Sequence, residues 1–98
     1  MTRFPATRVL IVCEAIYKLE GLGIKSTMTN IKGSIKDIPR FEITKLVKYL
    51  VETSMVIKNI VPHKRTVYKL RPISRSLVGQ FYLVKKALIK IIGDEVYA

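Results

Sequence analysis

The sequence predicts an α+β domain that is mainly α, and three observations lead there. Apolar residues recur at helical steps of three and four in several separate stretches, each bounded by Pro, Gly, Ser or Thr. Two short β-prone runs, Val56 to Val61 and Thr66 to Leu70, are separated only by the turn residues Pro62, His63, Lys64 and Arg65, the spacing of a hairpin. No linker, internal repeat or low-complexity segment divides the 98 residues. A chain of that length suits one core, burying about 60 to 70% of its unfolded surface.

The first helix is expected over residues 5 to 20, PATRVLIVCEAIYKLE, because Pro5 suits a first helical position and Gly21 supplies a stop. Val9, Val12, Cys13, Ile16 and Leu19 share one face, and Glu14 precedes Lys18 by the four residues of a helical ion pair. GIKST, residues 23 to 27, has room for a single β-rung. Ser26 or Thr27 then caps a short second helix over roughly 28 to 35, in which Gly33 costs about 1 kcal/mol relative to Ala.

Asp37 and Pro39 mark the next start. In RFEITKLVKYLVET, Arg40 to Thr53, the apolar residues Ile43, Val47, Leu50 and Val51 fall at helical spacing, while Arg40, Thr44, Lys45, Lys48 and Glu52 share the other side. This third helix has a mostly basic outer face, and Phe41 is expected to pack inward. The hairpin follows, with Pro62 at the second position of its turn. Ser74 or Ser76 is expected to cap a long last helix, LVGQFYLVKKALIKIIG, that ends near Gly93. Leu77, Phe81, Val84, Leu88 and Ile91 recur at alternating steps of four and three, the spacing of a helix that packs against another helix. Val78, Tyr82, Ile89 and Ile92 form a second stripe. Apolar surface this wide exceeds what one small domain covers, so a homodimer through the last helix is expected, with coverage of helix 1 in the monomer as the other use of the Leu77 stripe.

Charge is the unusual part of the composition. Eighteen Lys and Arg against seven Asp and Glu leave a net charge of +11, with a pI near 10.1. Such a balance favours polyanionic partners and opposes self-association. From Thr53 through Gly93 there is no acidic residue at all. The single cysteine, Cys13, lies in an apolar run and reads as a buried small hydrophobe, and the single histidine, His63, has no neighbours for a metal site or a catalytic triad. The carboxylates are scattered and no Gly-rich phosphate loop is present, so an enzyme is not expected, nor a cofactor or a metal. No apolar run approaches the roughly 18 to 20 residues of a membrane span, and the N-terminus lacks the pattern of a signal peptide, so a cytoplasmic location is expected. Few Gln and Asn beside abundant Ile, Lys and Val is the bias of thermophile proteins.

Helix, short strand, two helices, hairpin, helix: this order, carried by FEITKLVKYLVETSMVIK and IVPHKRTVYKL, resembles the winged helix-turn-helix family of DNA-binding domains. It looks like a small archaeal-type transcription regulator, and the resemblance covers essentially the whole chain. It implies a three-helix core with a two-stranded wing in residues 1–73 and a dimerising C-terminal helix in 74–98. Helix 40–53 would be the recognition helix, running directly into the first wing strand, with Ile43, Val47, Leu50, Met55 and Val56 at buried positions. Ser54 stands where many relatives have Gly at the end of that helix.

What the resemblance implies for function is double-stranded DNA binding, sequence-specific or semi-specific. Arg40, Thr44, Lys45 and Lys48 would enter the major groove, with Lys36 just ahead of them. The basic wing, residues 58–69, would carry His63, Lys64 and Arg65 to phosphate or the minor groove, which accounts for a hairpin tipped with cations. Leu77, Phe81, Val84, Leu88 and Ile91 would form the dimer interface of a nucleoid-associated regulator. Three other roles fit the same residues less fully: a protein-interaction adaptor within a nucleic-acid machine, an RNA binder, and a membrane-surface role for LVKKALIKIIG. The narrow A-form major groove would exclude helix 3 from duplex RNA.

Overall fold

A computed structural model describes residues 5–92, apart from Val61, His63 and the side chains of Ile89, Ile91 and Ile92. The elements run α1 (Ala6–Gly21), α2 (Met28–Ser34), α3 (Arg40–Glu52), β1 (Val56–Asn59), β2 (Val67–Leu70) and α4 (Pro72–Ile92). Pro5 precedes α1 and accepts from the amides of Arg8 and Val9 at 3.1 and 3.2 Å, so the helix starts where its fixed φ permits. The end of α1 is closed by Gly23 and not by Gly21: at φ +72° its N–H donates to the Glu20 carbonyl, and Ile24 N–H donates to Leu19. That pair of bonds is a Schellman motif with glycine at its left-handed position.

Thr27 caps α2, its hydroxyl accepting from the Asn30 amide at 3.3 Å, and the helix forms despite Gly33. The expected β-rung is present as a single bridge between Thr27 and Val67. Tyr68 N–H donates to the Ser26 carbonyl at 3.0 Å, and the Ser26 hydroxyl donates to the Tyr68 carbonyl. The wing is therefore anchored through the turn-side half of β2 to the segment that enters α2. Within it β1 and β2 pair antiparallel, in the register Val56 with Leu70 through Asn59 with Val67.

A second Schellman pair closes α3, Ser54 N–H to Val51 and Met55 N–H to Leu50, and here the left-handed residue is Ser54 at φ +64°. Helix α4 begins at Pro72, not behind a serine cap. Proline suits the first helical turn because the N–H it lacks would have no partner there, and Arg75 N–H closes on the Arg71 carbonyl at 2.8 Å. Ser74 is accordingly buried inside the first turn.

The core gathers Val12, Cys13, Ile16 and Leu19 of α1, Ile31 of α2, Ile43, Leu46, Val47 and Leu50 of α3, Val56 and Leu70 of the wing, and Val78 of α4. Helix α1 is the central element, touching α2, α3, β2 and α4. Of the second stripe of α4, Val78 is buried and Tyr82 lies tilted beside Tyr17 with ring centroids 5.9 Å apart, while the side chains of Ile89 and Ile92 lie outside the described residues. A Cβ on Gly79 would meet the Tyr17 hydroxyl at 3.3 Å, so a small residue there lets α4 lie close to α1. Of the Leu77 stripe, Leu77 and Val84 are exposed, while Phe81 and Leu88 are half-buried. The side chain of Ile91 lies outside the described residues. The architecture is α+β, mainly helical and winged-helix-like.

Candidate nucleic-acid interface

Helix α3 is amphipathic because Ile43, Leu46, Val47 and Leu50, at i, i+3, i+4 and i+7, commit one side to the core. The opposite side is fully presented to solvent. Arg40, Thr44, Lys45, Lys48 and Glu52 are all exposed there, and Lys36 is exposed in the turn ahead. The Thr44 hydroxyl donates back to the Arg40 carbonyl at 3.3 Å, which leaves its oxygen facing outward as an acceptor.

Phe41 corrects the expectation that it packs inward. It is 67% exposed, and the Lys45 ammonium stands over its ring, 5.7 Å from the centroid. Spacing explains the difference: Phe41 is three, four and seven residues before Thr44, Lys45 and Lys48, so a helix places all four on one face. The wheel contained this information, and hydrophobicity alone misled.

On the wing, Lys64 and Arg65 are exposed and line a hollow of about 440 Å³ with Lys25, Thr27 and Asn30. Asn30 is fixed there by donating its side-chain amide to the Lys25 carbonyl at 2.8 Å. Lys25 was not singled out from the sequence, since it becomes a neighbour of the wing tip only through the Thr27–Val67 bridge. His63 lies outside the described residues.

The ion pairs are segregated. Among the described residues, every cation in an ion pair belongs to α1 or α4: Arg8 with Glu42, Lys18 with Glu14 at 3.3 Å, Arg75 with Glu20 at 3.0 Å and Lys85 with Glu14 at 3.2 Å. Lys25, Lys36, Arg40, Lys45, Lys48, Lys64 and Arg65 have no carboxylate partner among the described residues. Glu14 and Glu20 of α1 and Glu42 of α3 are paired with cations of α1 and α4, while the lysines and arginines of α3 and the wing stay outside these pairs and share the outer face of α3 with Glu52. No helix in the described residues is long and apolar enough to cross a membrane. No group of three or more His, Cys, Asp or Glu that could hold a metal ion occurs among them.

Neither a protein-family model nor a curated protein sequence matches this chain. Solved structures do. AF1382 from Archaeoglobus fulgidus is similar with a TM-score of 0.72 at 14% identity, over 87% of this chain and 91% of that one. BpsR from Bordetella bronchiseptica, whose DNA binding is regulated by 6-hydroxynicotinic acid, is similar with a TM-score of 0.60 at 12% identity. That likeness covers 91% of this chain and 60% of BpsR. At these identities the likeness is one of fold, in agreement with the winged-helix-like architecture.

Proposed function

We propose that this protein is a small transcription regulator that binds double-stranded DNA, without enzymatic activity or cofactor. The observation that carries the reading is the segregation of ion pairs, which leaves Arg40, Lys45 and Lys48 of α3 and Lys64 and Arg65 of the wing without a carboxylate partner among the described residues. Exposed cations without carboxylate partners are available to phosphates, and each phosphate neutralised releases a counterion, the main source of affinity for duplex DNA.

A helix about 10 to 12 Å across fits the major groove, roughly 12 Å wide. With α3 in the groove, Arg40, Thr44 and Lys45 are the side chains suited to base edges, while Lys36 and Lys48 serve phosphates and set register. The wing extends the footprint, with Lys64 and Arg65 on phosphate or the adjacent minor groove, joined by Lys25. The BpsR likeness supports a regulatory setting, because a related fold serves DNA binding there. Residues 74–98 act as the dimerisation element. Leu77 and Val84 face outward on α4, and a second copy covering them would set two recognition helices on half-sites about 34 Å apart. The protein then works in the cytoplasm on nucleoid DNA.

Duplex binding measured across a salt series tests the reading. Wild type is expected to lose affinity steeply with salt, and Lys64→Ala/Arg65→Ala to reduce the log-log slope by about 1.8, at roughly 0.9 per phosphate contact. An unchanged slope removes the wing assignment. A wild type with no salt-dependent affinity for duplex refutes DNA binding itself and favours a protein-interaction adaptor.

A further inference from the structure

Phe41 is the one large apolar side chain on the outer face of α3, two-thirds exposed and flanked by Arg40, Thr44, Lys45 and Lys48. The core does not use it: the buried residues of α3 are Ile43, Leu46, Val47 and Leu50. Single exposed hydrophobic residues are common on proteins, but this one sits in a ring of cations, at the second position of the helix. In helix-turn-helix docking, it is the N-terminal residues of the recognition helix that reach base edges. A cationic surround suits a polyanion and is unfavourable against an apolar protein surface.

The major-groove edge of DNA offers one apolar group, the 5-methyl of thymine, and phenylalanine is among the side chains that contact it. Lys45 adds a second element. Its ammonium is held beside the ring, 5.7 Å from the centroid, so a donor for an acceptor such as guanine O6 or N7 lies next to the apolar probe. We propose that Phe41 reads thymine: its ring contacts a thymine 5-methyl group in the major groove, and the preferred sites of this protein carry thymine opposite the first turn of α3, beside a base pair bearing an acceptor for Lys45. This rests on the DNA-binding reading, and it adds a sequence preference that charge alone does not supply.

The experiment selects bound duplexes from a random pool with wild type and with Phe41→Ala. Each thymine of the selected site is then replaced singly by deoxyuridine, which removes the methyl group and keeps the base pair. For wild type, one or two positions are expected to lose about fourfold in affinity, the worth of one buried methyl group. In Phe41→Ala, which should melt like wild type because the ring is exposed, the same replacements are expected to have no further effect, and the salt slope to stay unchanged, since no charge is removed. Three outcomes overturn the inference while leaving DNA binding intact: no site enriched, no thymine sensitive to loss of its methyl, or a methyl penalty of equal size in Phe41→Ala. A Phe41→Ala affinity loss that is equal for all sequences also overturns it, since the ring would then contribute without reading a base. Wild type without duplex affinity would overturn both this inference and the proposed function.

Discussion

Neutralising Glu14 by Glu14→Gln is expected to loosen α4 from α1. The Glu14 side chain is only 7% exposed, and both its oxygens accept from the Lys85 ammonium, at 3.3 and 3.2 Å, across 71 residues of sequence. Lys18 approaches the same carboxylate at 3.3 Å but is 52% exposed, so that contact is worth about 1 kcal/mol at most. Removing one partner from a fully buried pair costs about 3 to 5 kcal/mol. Lys85 keeps 28% of its exposure and its ammonium can recover some hydration, which lowers the expected loss to roughly 2 to 3 kcal/mol. For a domain of this size that lowers Tm by roughly 10 to 20 °C. Thermal melts by circular dichroism, with urea titrations to check an unchanged m-value, measure it. Replacing both charges, Glu14→Leu with Lys85→Met, should recover most of the loss, because no charge is then left buried beside an uncharged neighbour. A Glu14→Gln variant that melts within a degree or two of wild type would refute the view that this pair fastens the last helix.

Cys13 is fully buried, and desolvation raises its thiol to a pKa of about 11. Between about pH 9 and 11 the unfolded chain releases this proton and the folded chain retains it, so stability falls with rising pH across that window and is unaffected below it. The fall should reach about 2 kcal/mol by its upper end, and the difference between wild-type and Cys13→Ala urea melts should grow by that amount from pH 8 upward; parallel curves would contradict it. Ser54→Gly should stabilise by about 0.5 to 1 kcal/mol, since glycine meets no Cβ penalty at φ +64°, whereas Ser54→Val should destabilise; equal melting of the three proteins would show that the joint between α3 and β1 carries no strain. Leu77→Glu, at a position 61% exposed in the monomer, should leave the fold intact and convert dimers to monomers in sedimentation, and an unaltered mass would remove the dimer through α4.

Much of the architecture was legible because its signals are local. Pro5, Thr27 and Pro39 set where the first three helices begin, for proline tolerates only a first turn and a threonine hydroxyl can satisfy a free amide. The alternation of β-prone runs around Pro62 to Arg65 marked the wing, and the spacing of Ile43, Val47 and Leu50 marked the inner face of α3. Local signals also competed. The serines at 74 and 76 pointed to a cap for α4, yet the helix begins earlier, at Pro72, which needs no cap bond of its own.

Helical periodicity states which residues share a face, but not which face meets a partner. The two apolar stripes of α4 are equivalent in sequence; only the position of α1, with Tyr17 against Gly79 and Tyr82, assigned Val78 inward and left Leu77 and Val84 outside. The ion pair between Glu14 and Lys18 follows from a spacing of four, whereas the stronger contact with Lys85 requires the chain to return after 71 residues. Lys25 likewise reached the wing tip through one β-bridge. Composition and short-range pattern thus settled the elements and the excess of positive charge, while the path of the chain decided which charges were neutralised and which stayed exposed, because electrostatic pairing depends on distance in space and not on separation in sequence.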